Sequence, residues 1–177
     1  KQMHVRLLFF ATLKDIVGAR EMQLEVPAGA TVADVLTHLE SSYPRIRDYR
    51  PVVLTATNEE YVDKGTPVAD GDEVAIFPPV SGGEIGSDTL TVSRPGELYQ
   101  ITRDPIDAQK IAREMLRDED GAICVFEGVV RNNSKGNRTL HLVYESYDTM
   151  ALKKLEEIGI FVRQAWDIGC VAMIHRL

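Results

Sequence analysis

Cys124 and Cys170 are the only cysteines in the chain, and two isolated thiols without paired spacing make neither a disulfide framework nor a zinc site. Each sits in an apolar run, Ala122-Ile123-Cys124-Val125-Phe126 and Cys170-Val171-Ala172-Met173-Ile174, which predicts buried, reduced side chains with no chemistry of their own. Long hydrophobic runs are also missing. No stretch approaches the roughly 20 apolar residues that span a bilayer, so no membrane partner is expected. Lys1-Gln2-Met3-His4-Val5 lacks the small-residue cleavage site of a secretion signal, and a cytoplasmic protein is expected. Positive charge is scarce, with a formal net charge of -7, which argues against a nucleic-acid partner held by a general positive field. The deficit is even: residues 1–83 hold 8 basic and 12 acidic side chains, and residues 84–177 hold 12 and 15.

What remains is the balance of an ordinary globular protein, 44% hydrophobic and 27% charged over 177 residues. A Gly/Ser-containing break near the middle divides it into residues 1–83, a linker at 84–88 and residues 89–177.

In the first part, Val5, Leu7 and Phe9 alternate with Arg6, Leu8 and Phe10, a strand expected to be buried on both faces. A polar loop leads to a second strand through Met22, Leu24 and Val26. A helix follows, with Thr31 as N-cap, Asp34 reaching back, and Val32, Val35, Leu36 and Leu39 on one stripe. Tyr43-Pro44 ends it. A short strand at 52–54, turns at 58–60 and 70–72, and a strand at 73–77 complete the order strand, strand, helix, strand, strand. One helix covering one face of a mixed sheet in about 80 residues is an α+β solution of the ubiquitin-like β-grasp type.

The second part predicts a helix beginning at Asp104-Pro105, with Ala108, Ile111, Ala112, Met115 and Leu116 as its apolar face and Asp120-Gly121 as its stop. Residues 122–131 read as a buried strand and 132–137 as a mobile polar loop. A returning strand at 139–147, a helix at about 149–166 and a last strand at 170–174 follow.

Two features point to chemistry. The first is Phe77-Pro78-Pro79-Val80-Ser81-Gly82-Gly83, a tail whose side-chain-free Gly82 and Gly83 thread a channel closed to other residue pairs. Cut after Gly83, it ends in an unhindered carboxylate. Composition alone favours a plain flexible linker. The second is a basic island in an acidic chain: Arg131, Lys135 and Arg138 lie between Gly128 and Tyr144 with no acidic residue among them. It suits a small anionic ligand, and charge alone fits a solvated loop as well.

Together these residues resemble the two subunits of molybdopterin synthase joined in one chain. The sulfur-carrier part is carried by the Phe-Pro-Pro-Val-Ser-Gly-Gly ending. The catalytic part is carried by Asp118-Glu119-Asp120-Gly121-Ala122, Phe126-Glu127-Gly128-Val129-Val130-Arg131-Asn132-Asn133, Leu142-Val143-Tyr144-Glu145-Ser146-Tyr147 and Ile174-His175-Arg176-Leu177. The resemblance implies a β-grasp domain followed by an α/β hammerhead-like catalytic-subunit domain. It also implies a family activity: an activating adenylyltransferase converts the terminal glycine to a thiocarboxylate, and two such sulfurs pass to cyclic pyranopterin monophosphate to make molybdopterin.

By this resemblance Gly83, after cleavage, carries the sulfur, and Gly82 lets it reach a confined site. Phe126, Val129, Val130 and Arg131 form the substrate side, with Arg131 as anion donor. By residue type alone Phe126 fits a core aromatic better than a binding wall, and for Arg131 the two readings are close. His175 and Arg176 belong to a structural stretch and stay outside the catalytic set. No bound cofactor or metal is implied. The implied partners are a second copy through the catalytic half and a carrier domain docked on the catalytic domain. The family's catalytic subunit continues past the point matching Leu177 with a second His-Arg pair and catalytic lysines, so residues 89–177 are expected to be an incomplete catalytic domain. The alternative is a non-catalytic carrier with a docking domain.

Overall fold

The computed structural model describes residues 2–79 and 89–177. The chain divides into two compact units, Lys1–Glu84 and Ile85–Leu177.

The first unit runs β1 (Gln2–Phe9), α1 (Ala11–Val17), β2 (Glu21–Pro27), α2 (Val32–Ser42), a 3₁₀ turn (Pro44–Tyr49), β3 (Leu54–Thr57), β4 (Glu60–Tyr61) and β5 (Glu73–Phe77). Its sheet order is β2-β1-β5-β3-β4. β5 lies parallel to β1, while the other pairings are antiparallel. This is the β-grasp: the last strand inserts at the centre, and α2 closes one face. Val5, Leu7 and Phe9 on β1 join Leu24, Val26, Val74 and Ile76 from the neighbouring strands and Val32, Val35, Leu36 and Leu39 from α2 in one core. α2 starts as its sequence predicts, with the Asp34 N–H donating to Thr31 Oγ1 at 3.3 Å and the Thr31 N–H to Asp34 Oδ2 at 2.8 Å.

Three details differ from expectation. β1 is not buried on both faces throughout, because Arg6 stays in solvent and bridges Glu21 on β2 and Glu73 on β5. The polar loop after β1 is instead helix α1, which buries Ala11 and Leu13 and stops at Gly18, φ 76°. Seven residues without a polar N-cap leave little helical signal in a sequence. The strand expected at 52–54 lies at Leu54–Thr57, and its turn to β4 places Asn58 and Glu59 at φ 49° and 67°, the signs of a type I′ hairpin turn.

The second unit runs β6 (Leu90–Arg94), β7 (Glu97–Thr102), α3 (Ala108–Met115), β8 (Asn133–Ser134), β9 (Asn137–Arg138), α4 (Asp148–Ala165) and β10 (Val171–Arg176). β6 and β7 form a hairpin, and β10 adds parallel to β7. α4 covers this sheet over Tyr99 and Ile101, which are 0% and 1% exposed. The contact demands Gly159, because a Cβ there would lie 2.2 Å from the Tyr99 hydroxyl. Arg94 pairs with Glu156 and Arg163 with Glu97, tying α4 to the hairpin.

The sequence predicts α4 and the last strand well and the region before them poorly. β6 and β7 were not anticipated. α3 begins one turn later than expected, capped by Asp107, whose Oδ1 accepts from the Lys110 N–H at 2.9 Å, and it ends at Met115. Residues 122–131 and 139–147 are neither strands nor buried. An apolar run forms a buried strand only where a layer receives it, and α4 is committed to the β10-β7-β6 sheet. Cys124 is accordingly exposed rather than buried. Cys170 is half-buried, with its thiol donating to the Met115 carbonyl at 3.3 Å.

Candidate functional site

On the first unit the site begins where β5 ends. Pairing with β1 on one side and β3 on the other fixes β5 at the centre of the sheet and aims the chain out at Pro78. Phe77 stacks on Phe10 with ring centroids 4.8 Å apart and tilts against Tyr61 at 6.2 Å. Leu54 pairs with Phe77 in register. Leu54 and Tyr61 are 59% and 58% exposed, so an apolar patch surrounds the point where the tail leaves. Sequence reasoning missed this patch because each member sits singly in a different strand. Only the ladder brings them together. Gly82 and Gly83 lie outside the described residues.

On the second unit the predicted substrate-side residues follow one another along the stretch entering β8. Phe126, Val129 and Val130 are 95%, 83% and 57% exposed, and Arg131 is exposed as well. The structure keeps them adjacent in the chain but does not enclose them in a recess. The expected polar loop is a tight hairpin: Asn133 pairs with Arg138, Ser134 pairs with Asn137, and Lys135 and Gly136 turn at φ 49° and 82°. Arg131, Lys135 and Arg138 thus project from one short ribbon and its entry. An open cleft of about 230 Å³ lies elsewhere, between Thr89, Thr102, Asp107 and Lys110. None of the predicted residues lines it, and its mixed carboxylates and single lysine suit the predicted anion less well than the hairpin does.

The strongest electrostatic perturbation lies just before this stretch. Arg117 grips Asp120 through Nη2 at 2.6 Å, and its backbone N–H donates to the same carboxylate at 3.0 Å. These bonds hold the Asp120 carboxyl below its ordinary range and raise Arg117. Gly169 packs so closely on this pair that a Cβ there would lie 1.8 Å from Arg117 Nη2. The pair is a clamp closing residues 117–120 against the start of β10, and its charges are used up in doing so. His175 sits on β10 with its ring edge-on to Tyr144 at 5.3 Å, a packing contact. Among the described residues no group of His, Cys, Asp and Glu side chains is arranged to hold a metal ion.

Family models match both units. Residues 7–83 match the ThiS family and residues 101–177 the MoaE protein family. The Arabidopsis thaliana molybdopterin synthase sulfur carrier subunit is 35% identical over 81 residues, covering 46% of this chain and 84% of that protein. This chain belongs to the molybdopterin synthase family. Its first unit matches sulfur-carrier subunits and its second matches part of the catalytic subunits. The Bacillus subtilis (strain 168) molybdopterin synthase catalytic subunit is 37% identical over 81 residues, covering 46% of this chain and 52% of that protein. The chain therefore spans about half the length of the catalytic-subunit relatives it matches. Among solved structures, the Haloferax volcanii HVO 2177 protein is 34% identical, covering 46% of this chain and 88% of that one with a TM-score of 0.42. A complex of subunits 1 and 2 of molybdopterin-converting factor from Helicobacter pylori 26695 is 27% identical, covering 46% of this chain and 100% of that one with a TM-score of 0.33.

Proposed function

We propose that this chain acts in molybdenum cofactor biosynthesis as a fused molybdopterin synthase, passing sulfur from a thiocarboxylate on Gly83 to cyclic pyranopterin monophosphate. The observation that carries the reading is the succession, within one chain, of a carrier domain ending in Gly82-Gly83 and a catalytic-subunit domain. The carboxylate exists only after hydrolysis of the Gly83–Glu84 bond. A separate adenylyltransferase then activates it with ATP, and sulfur from a donor displaces the adenylate. A thiocarboxylate holds a nucleophilic sulfur at neutral pH. Each transfer forms a C–S bond on the pterin side chain and breaks the acyl C–S bond. Water supplies the oxygen that returns the carrier terminus to a carboxylate.

The apolar patch of Leu54, Tyr61 and Phe77 at the tail exit supports docking of the carrier on a catalytic domain. The exposed side chains of Phe126, Val129 and Val130 support both that docking and pairing of two copies through the catalytic half, since water-exposed apolar groups gain from either contact. Arg131 binds the substrate phosphate through its planar fork.

Intact mass of the protein recovered from its own cells tests the cleavage. The expected species ends at Gly83 with one terminal oxygen replaced by sulfur. Sulfur transfer by an uncut chain overturns the reading. The openness of residues 122–131 favours a second reading, a carrier whose second unit only docks. Arg131→Ala separates the two: it abolishes pterin conversion while sparing thiocarboxylate formation in a synthase, and has no consequence in a pure carrier.

A further inference from the structure

We infer that Lys135, at the apex of the β8–β9 hairpin, forms an ion pair with Glu59 on the carrier unit of a second copy of this chain. The inference rests on the reading that carrier units dock on catalytic units, and it adds the two side chains that fix where they meet.

Two turns stand out. Asn58-Glu59 joins β3 to β4 with φ of 49° and 67°, and Lys135-Gly136 joins β8 to β9 with φ of 49° and 82°. Both are two-residue loops with positive φ throughout, an arrangement that favours Asn-Gly because the first position suits asparagine and the second glycine. Each loop keeps one half of that pair and replaces the other half by a charged residue. Glu59 stands where glycine fits, and Lys135 stands where asparagine fits. A long side chain on left-handed backbone costs free energy. Among the described residues Glu59 and Lys135 are the charged side chains held there, and their signs are opposite. Such outliers cluster where a side chain serves a contact beyond its own turn.

Both turns lie beside the surfaces assigned above to docking. Glu59 is in the turn leading to Tyr61, which is exposed at the tail exit with its ring 6.2 Å from Phe77. The β8–β9 hairpin follows directly on the exposed stretch of Phe126, Val129 and Val130. Lys135 is exposed and makes no ion pair among the described residues. Other exposed arginines of this unit share that property, and what sets Lys135 apart is its backbone. Each chain carries a formal net charge of -7, so two copies repel unless opposite charges meet locally. Between Gly128 and Tyr144 there is no acidic residue, whereas the carrier corner holds Glu59 and Glu60 side by side. Apposing the two tips removes the repulsion at that point and selects one docking orientation.

An equal mixture of unlabelled and isotope-labelled full chains tests the pair, after treatment with a carbodiimide that joins amine to carboxylate without a spacer and digestion for mass spectrometry. Lys135 is expected to link to Glu59 in labelled–unlabelled combinations, with a yield that falls about threefold between about 0.05 and about 0.5 M salt. Lys135→Glu and Glu59→Lys should each abolish the link, and the chain carrying both exchanges should form it again. Lys135→Asn should raise hydrogen-exchange protection of the Thr139 N–H, which donates to the Asn132 carbonyl across the ribbon at 2.8 Å, because asparagine relieves the turn. Unchanged or lower protection would mean that the turn itself accepts lysine, and the inference falls. If labelled–unlabelled links join carrier and catalytic units at other residues but not through Lys135 and Glu59, the inference falls and the docking reading stands. If no link joins the two units, both fall. A Lys135–Glu59 link found only within single chains overturns the assignment to a second copy.

Discussion

The two units bury their apolar side chains to very different extents, although both sequences alternate apolar and polar residues. In the carrier unit, Val5, Leu7, Phe9, Leu13, Leu36 and Ile76 are all within 1% of complete burial. In the catalytic unit the buried apolar side chains among the described residues are Tyr99, Ile101 and Met150, while Ile123, Val125, Phe126, Val129, Leu140 and Leu142 stay exposed. The pattern is similar, but the available surfaces differ. In the carrier unit α2 and α1 close on a five-stranded sheet, so the apolar sides of β1, β2 and β5 meet the helices. In the catalytic unit one helix covers three strands, and residues 122–147 find no layer to join.

This contrast can be broken by mutation. The largest effect is expected in the carrier core, where Leu36→Ala should cost about 2–5 kcal/mol of unfolding free energy, while Val129→Ala should change it by less than about 0.5 kcal/mol. Urea unfolding of both variants at low protein concentration checks this. A large loss at Val129 would show that the stretch is packed in solution.

Next comes the single tight contact of the catalytic unit. Gly159→Ala should destabilise it by about 1–3 kcal/mol through overpacking against Tyr99. The Tyr99 hydroxyl is buried without a partner, so Tyr99→Phe should stabilise the unit by about 1 kcal/mol. Thermal melts of the two variants should therefore move in opposite directions.

The smallest effect is in acid. The Thr31 backbone N–H and hydroxyl hold Asp34 below its ordinary range in the carrier unit, and Arg117 does the same for Asp120 in the catalytic unit. A lowered folded-state value means that each carboxylate contributes stability above the unfolded value of about 3.9 and loses it as pH falls through the folded value. Asp34→Asn and Asp120→Asn should each lower the melting temperature at neutral pH. Each difference from the parent should shrink as pH drops below about 4. A difference that persists at low pH would mean that the side chains act by packing and not by charge.

Much of the carrier unit was legible because its signals are local. The capping box of Thr31 and Asp34 and the stripe of Val32, Val35, Leu36 and Leu39 define α2 without help from the rest of the chain, and the Asp70-Gly71 turn sets the start of β5. α1 was illegible for the opposite reason: its seven residues are held helical by burial of Leu13 under the sheet. In the catalytic unit the periodicity of α4 survived and the apolar run at residues 122–131 misled, since such a run describes readiness to be buried and not the presence of a covering layer. For the candidate site, the family resemblance pointed to Arg131 and its neighbours, and residue types alone left the choice open. They gave no sign of the patch formed by Leu54, Tyr61 and Phe77.

What the amino-acid sequence determined by itself was the division into two parts, the helix caps, the diglycine ending and the placement of basic residues in an otherwise acidic chain. These depend on interactions over a few residues and on composition. What only tertiary structure decided was which strands neighbour one another, where α4 must carry a glycine, and which side chains from distant positions meet at the tail exit. Those outcomes depend on sheet register and on how much surface each layer can cover, and neither is encoded in any single segment.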